Sequence, residues 1–225
     1  MAHKTALLLG ASGLVGGELL KLLLDSCEYG RVTILVRRPL AIQHPKLDEV
    51  IVDFDLLNEV KDKFKADDVF SCLGTTIKKA KTRAAMNKVD YEFTLSAAKL
   101  AKAMGANKFL VISSMNASPN SPVWYSRMKG KLEEELKQLG LSALYIFQPS
   151  LLLGKREEFR FGETAAALLS KFFGFLFIGP LKKYKPIKAR TVAYGMYKAA
   201  QLSELGNITF QSDKLSQLAS SLAVL

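Results

Sequence analysis

The chain has 225 residues, 49% of them hydrophobic and 24% charged, a balance that suits one globular domain with a full core and excludes a disordered or fibrous chain. Thirty-two Lys and Arg against twenty-one Asp and Glu leave a net charge of +11; the basic residues are scattered along the whole length, so a solvated basic surface is expected and nucleic acid is not an expected partner. Two cysteines and two histidines rule out a disulfide framework and leave nothing to build a metal site from, and both thiols are expected to be buried in a reducing compartment.

Ala6 to Leu9 reads as a buried parallel strand, and Leu14, Leu19, Leu20, Leu23 and Leu24 as the packed face of the helix after it. Between them Gly10, Gly13 and Gly16 form G-x-x-G-x-x-G. Gly10 permits a tight turn, Gly13 lets backbone approach a diphosphate, and Gly16 lets the helix pack close to the sheet, with its amide ends toward the anion. Glycines alone often mark turns, but strand and helix on either side make this a candidate nucleotide-binding loop with contacts at Gly10, Ser12, Gly13, Leu14, Val15 and Gly16. Met1 to Leu9 is too short for a signal peptide, so a cytoplasmic location is expected.

Arg31 to Val36 is a β-branched run of strand length, closed by Arg37, Arg38 and Pro39. An acid near this strand end would bond ribose hydroxyls, whereas a base accommodates a 2′-phosphate. Two arginines and no acid stand here, which favours NADP(H) over NAD(H); the alternative is a pair of ordinary surface arginines. Glu49 to Asp53 is the third expected strand, with Asp53 and Phe54 where an adenine would be held. Leu56 to Lys65 has helix length, and Asp68 to Cys72 is a strand running into Leu73, Gly74, Thr75 and Thr76, where a glycine lets the chain pass close to a ligand. Lys78 to Arg83 is expected as a mobile solvated loop, with contact to a cofactor phosphate as the alternative.

From Ala84 to Met104, Val89, Phe93, Ala97, Leu100 and Met104 share one helical face, and Gly105 stops the helix. Lys108 to Ser113 is a strand ending in Ser113-Ser114; Trp124 to Leu139 is a long helix; Ala143 to Phe147 is a strand capped by Gln148-Pro149-Ser150. This alternation predicts an α/β doubly wound parallel sheet of Rossmann type, a single domain over 1–225. From about residue 150 a small C-terminal appendage on the substrate side is expected: an amphipathic helix near Val192 to Leu202, a short strand at Asn207 to Phe210 and a terminal helix. The apolar stretch Ala165 to Leu181 is broken by Lys171 and two glycines and falls short of the ~20 residues that span a bilayer. Within it, Leu168 to Pro180 carries Phe172, Phe173, Phe175, Leu176, Phe177 and Ile178, which suit a wall of the substrate crevice, ordinary core, or peripheral membrane contact beside Lys182, Lys183 and Lys185.

Tyr125 and Lys129 stand at i and i+4, on one face of a helix that follows the Ser113-Ser114 strand end. An ammonium beside a phenol favours the phenolate, so Tyr125 is suited to proton transfer. Gly10-x-x-Gly13-x-x-Gly16, Arg37, Asp53, Leu73-Gly74-Thr75-Thr76, Val89-Asp90-Tyr91, Ser113-Ser114 and Tyr125-x-x-x-Lys129 together resemble an atypical short-chain dehydrogenase/reductase, similar to the HIV-Tat-interacting-protein group of NADPH-binding oxidoreductase-like proteins. The resemblance runs from the glycine loop past Phe172-Phe173-Gly174. It implies Tyr125 as general acid/base, Lys129 as its tuner and a ribose ligand, Ser114 as the substrate-orienting serine, and cofactor contacts at Leu73, Gly74, Thr75, Gln148, Pro149 and Ser150. Gln148-Pro149-Ser150 departs from the Arg-Pro-Gly of relatives, which bears on the nicotinamide-side contacts. The implied activity is NADP(H)-dependent reduction of a small carbonyl compound, for which an apolar body is the expectation. A non-catalytic NADPH-binding sensor or partner-binding protein is the alternative, and sugar-nucleotide epimerisation a weaker one.

Overall fold

Six parallel strands in the order 3-2-1-4-5-6, extended by a seventh, carry the architecture of the computed structural model, which describes residues 3–154 and 184–220. In chain order they are β1 (Lys4–Leu9), β2 (Tyr29–Val36), β3 (Leu47–Ile51), β4 (Asp68–Ser71), β5 (Lys108–Ile112), β6 (Ala143–Gln148) and β9 (Gly206–Gln211), with a separate two-stranded pair of β7 (Leu152–Leu153) and β8 (Ile187–Lys188). The helices are α1 (Leu14–Asp25), α2 (Ile77–Ala80), α3 (Arg83–Asn87), α4 (Phe93–Ala103), α5 (Trp124–Gln138), α6 (Ala189–Ala199) and α7 (Ser212–Ser220).

Alternation along the strands divides the core into two layers. Ala6, Leu8, Phe70, Tyr145 and Phe147 face α1 and α6; Leu7, Leu9, Val69, Phe109, Leu144 and Ile146 face α4 and α5. The sheet is therefore covered on both faces, as a parallel sheet requires. The chain reverses its direction of winding between β1 and β4, and the crevice beyond their carboxyl ends is where ligands of such sheets bind.

Several elements differ from expectation for local reasons. Leu56 to Lys65 falls on a 3-10 stretch, Phe54–Phe64, kinked where Leu56 and Val60 leave helical φ/ψ and capped at its end by Lys65, whose amide bonds the Asp62 carbonyl. Lys78 to Arg83 is not a loop throughout: Thr76 Oγ1 accepts from Lys79 N and Thr82 Oγ1 from Ala85 N, capping α2 and α3. The helix expected over 84–104 is interrupted by a π turn, Lys88–Glu92, before Gly105 ends it at φ +74°. Asn207 to Phe210 lies within β9, which pairs parallel to β6 and so completes the main sheet instead of standing in an appendage. Cys27 is exposed, against the expectation of two buried thiols; Cys72 is half-buried, and burial pushes its thiol up from the ordinary range. The apolar segment Leu168 to Pro180 lies outside the described residues.

Candidate active site

The glycine loop is shaped by backbone contacts that only glycine allows. Gly10 has φ +85°, and a Cβ there would lie 2.5 Å from the Cys72 carbonyl oxygen. A Cβ on Gly16 would lie 2.1 Å from the Gly10 oxygen, so α1 starts in direct contact with the turn it leaves. Gly13 donates its amide to the Gly10 carbonyl at 2.9 Å and serves as the N-cap of α1 without a side-chain cap. The helix thus opens with amide donors facing the crevice, a ready anion site.

Gly10, Ser12 and Gly13 line one cleft with Leu35, Val36, Arg37, Phe54, Leu73, Gly74, Val89 and Phe93. Residues from four strand ends and the π turn therefore meet at the reversal of winding. Arg37 is at the rim, exposed, with no side-chain hydrogen bond or ion pair among the described residues; Arg38 is exposed and does not line the cleft. Neither does Asp53, whose exposed carboxylate instead caps its own turn by accepting from Asp55 N at 3.0 Å. Val15 is buried in the core, so its side chain belongs to packing, and Leu14 lies against Gly154.

Helix α5 supplies none of the residues that line this cleft and is placed by its own packing. A Cβ on Gly130 would meet the Ser118 carbonyl carbon at 2.1 Å, so the helix lies directly on the loop after β5; Arg127 Nη1 adds bonds to the carbonyls of Ser121 and Pro122. This fixes the half-buried Tyr125 and the buried Lys129, whose Nζ sits 5.9 Å from the centre of the Tyr125 ring. Lys129 is 2% exposed and its ammonium faces Asp90, itself 1% exposed: Nζ is 3.3 Å from Oδ1 and 3.2 Å from the backbone oxygen. The second carboxylate oxygen of Asp90 accepts from the Thr75 amide at 2.8 Å.

The two strand-end serines differ. Ser113 Oγ donates to Glu133, which is buried on α5 and also accepts from Gln148 Nε2 at 3.0 Å on each oxygen. Ser114 Oγ is buried and has no hydrogen-bond partner among the described residues, a state that buried hydroxyls seldom keep. Beyond Gln148, the Pro149 carbonyl accepts from Met115 N, while the Ser150 hydroxyl donates to the Lys185 carbonyl and Ser212 bonds both Ser150 N and Oγ. Ser150 is therefore tied to the C-terminal part of the domain.

Asp90 and Glu133 escaped the sequence reading as site residues. Asp90 was visible inside Val89-Asp90-Tyr91, but its inward direction depends on the π turn; Glu133 stands four residues after Lys129, the same helical step that joins Lys129 to Tyr125. A dinucleotide fits these residues: the glycine cradle leaves no room for side chains at Gly10 and Gly16, amides open α1 beside the crevice, and Ser114 offers a hydroxyl with no partner among the described residues. No group of acids, histidines and cysteines able to hold a metal occurs among the described residues, and no helix among them is long and apolar enough to cross a membrane.

A family model described as NAD(P)H-binding matches residues 10–166. The chain is 38% identical over 180 residues to protein HTATIP2 of Rattus norvegicus, covering 78% of this chain and 73% of that one. It is 31% identical over 221 residues to the protein named fmp52, mitochondrial, of Aspergillus clavatus, covering 95% and 94%. Among solved structures it is similar in fold to a short-chain dehydrogenase/reductase superfamily protein from Agrobacterium tumefaciens with bound NAD, with a TM-score of 0.69, 17% identity, and coverage of 97% and 82%.

Proposed function

The chain belongs to the NAD(P)H-binding family that includes HTATIP2 and FMP52 proteins, and from that premise we propose that it is an NADP(H)-dependent oxidoreductase that reduces a small carbonyl substrate at Ser114, Tyr125 and Lys129. The observation that carries the reading is the buried Ser114 hydroxyl, which, like those of Ser71 and Thr94, has no partner among the described residues, but which stands at a strand end whose other serine is already bonded to Glu133. Ser114 donates to the carbonyl oxygen and orients it. Tyr125 Oη gives that oxygen its proton, and Lys129 favours the phenolate left behind and holds a ribose hydroxyl. When bound, the reduced nicotinamide supplies the hydride that adds to the carbonyl carbon, so the product is an alcohol. Gly10, Ser12, Gly13 and the backbone of Leu14, Val15 and Gly16 hold the diphosphate, Arg37 the 2′-phosphate, and Phe54, Leu73, Gly74 and Thr75 the adenosine side; Arg38 and Asp53, which do not line the cleft, stand beside these contacts. Gln148, Pro149 and Ser150 border the nicotinamide, and the portion from about residue 150 supplies the substrate side. The proposed location is the cytoplasm; because the Aspergillus relative is named mitochondrial, cell fractionation is the measurement that decides it.

Tyr125→Phe tests the chemistry, because it removes the proton donor and keeps the ring. Turnover of a carbonyl panel, followed by NADPH oxidation, is expected to fall by about 10²–10⁴-fold, with NADPH affinity changed less than about twofold. Full activity of Tyr125→Phe on a substrate that the unaltered protein reduces would remove the assignment. A non-catalytic NADPH-binding sensor is the second reading. The Asp90–Lys129 ion pair favours it, since an ammonium already neutralised pulls less on the phenol. A protein that binds NADPH yet turns over no member of the panel is the outcome that reading expects.

A further inference from the structure

We propose that Asp90 is a positioning residue: one buried carboxylate that ties Lys129 to the loop Leu73 to Thr76, so that the catalytic helix and the cofactor loop are set against each other. The inference rests on the reading that Lys129 meets the cofactor. Asp90 is reached through the π turn, Lys88–Glu92, whose extra residue per turn changes which side chains face inward. One carboxylate oxygen lies 3.3 Å from Lys129 Nζ, and the other takes the Thr75 amide at 2.8 Å. A Cβ on Gly74 would stand 3.6 Å from Asp90 Oδ1, so the carboxylate sits directly beside the loop backbone.

The two buried charges depend on each other. Among the described residues Lys129 is the only cation in an ion pair with Asp90, and Asp90 the only anion paired with Lys129. Removing one partner of such a pair leaves an uncompensated buried charge. The lysine has three donors: the Asp90 backbone carbonyl takes one at 3.2 Å while Oδ1 pairs the ammonium electrostatically at 3.3 Å, so donors remain for a ribose hydroxyl. The ammonium is thereby held in one place before the cofactor arrives. An asparagine at position 90 could still accept from Thr75 but could not pair the ammonium, so the two halves of the role are separable.

The test is a double-mutant cycle on the NADPH dissociation constant, read by fluorescence titration, with folding checked by circular dichroism. Asp90→Asn and Lys129→Met are each expected to weaken NADPH binding about tenfold, and Asp90→Asn to add less than about twofold once Lys129→Met is present. Combined with Lys129→Met, neither Asp90→Asn nor Asp90→Ala leaves an unpaired buried charge, so where Asp90→Asn alone does not fold, the comparison of these two doubly altered proteins still tests the Thr75 half of the role. In the Lys129→Met background Asp90→Ala is expected to weaken binding about threefold more than Asp90→Asn, because only alanine also abandons the Thr75 amide. An equal loss from Asp90→Asn in both backgrounds, or Asp90→Ala no worse than Asp90→Asn, overturns the role of Asp90 while leaving Lys129 as a cofactor ligand. Unchanged affinity in Lys129→Met instead overturns the underlying reading of Lys129, and the inference with it.

Discussion

The glycine loop and the polar network around α5 hold their groups by opposite means. In the loop, Gly10 and Gly16 work by lacking side chains: backbone lies within 2.5 Å or less of where each Cβ would be, and the partners are the Gly10 and Cys72 carbonyls. Around α5, Lys129, Asp90, Ser113, Glu133 and Gln148 work through side chains paired across the fold, buried or half-buried. A geometry made by absent atoms tolerates no addition. A geometry made by paired polar atoms tolerates no deletion.

The largest expected effect breaks the first half of this contrast. Gly16→Ala places a methyl group on the Gly10 carbonyl, and backbone cannot step aside as a flexible side chain can. A loss of about 3 kcal/mol is expected from such overpacking, which lowers Tm by roughly 6–12 °C in a domain of this size. Its neighbour supplies the control: a Cβ on Gly17 meets Ala11 O at 3.4 Å, an ordinary contact, and Gly17 lies inside α1. Gly17→Ala should leave stability within about 0.5 kcal/mol or raise it slightly, because alanine is the better helix former. Equal melting of the two variants would show that close approach does not define the loop.

Around α5 the deletion is Glu133→Ala. It strips acceptors from Ser113 Oγ and Gln148 Nε2 and empties a buried position on α5. Leaving buried donors unsatisfied costs about 2 kcal/mol, to be measured by urea unfolding. Adding Gln148→Ala to Glu133→Ala should cost much less than Gln148→Ala costs alone, since the amide has then already lost its partner. Additive losses would mean that the three groups do not act as one network.

This contrast also explains what could be read in advance. The sheet, α1 and α5 were legible because hydrophobic periodicity and glycine spacing are properties of neighbouring residues, as Leu19, Leu20, Leu23 and Leu24 on one face of α1 illustrate. Arg37, Phe54, Leu73 and Gly74 reached the same cleft because strand ends in a doubly wound sheet converge there. Asp53 could be placed beside the cleft but not aimed into it, because its carboxylate serves its own turn. The inward turn of Asp90 depends on a π turn that no apolar spacing announces, and the difference between Ser113 and Ser114 depends on Glu133, which reaches the strand end only in the folded chain. The place of β9 in the main sheet likewise required the pairing with β6, since a short apolar run looks alike at an edge or in an appendage.

The smallest expected effect lies at the rim, where neither absent atoms nor buried pairs hold the ligand. Arg37 lines the cleft next to Val36 and near Phe54, while Arg38, in the same bend after β2, is not among the lining residues. If cofactor preference is set there, the two arginines should not contribute equally. Arg37→Ala is expected to weaken NADPH binding about tenfold, or ~1.4 kcal/mol, a size suited to one exposed charge-assisted contact with a phosphate. NADH, which lacks the 2′-phosphate, should bind Arg37→Ala within about twofold of the unaltered protein, and Arg38→Ala should cost NADPH less than about threefold. Raising the salt should narrow the gap between NADPH and NADH, because an exposed ion contact is screened. Fluorescence titration of both cofactors against the three proteins provides the measurement. Equal affinity of the unaltered protein for NADPH and NADH, or no loss of NADPH binding when both arginines are replaced, would leave the diphosphate cradle intact and remove the NADP preference from this rim.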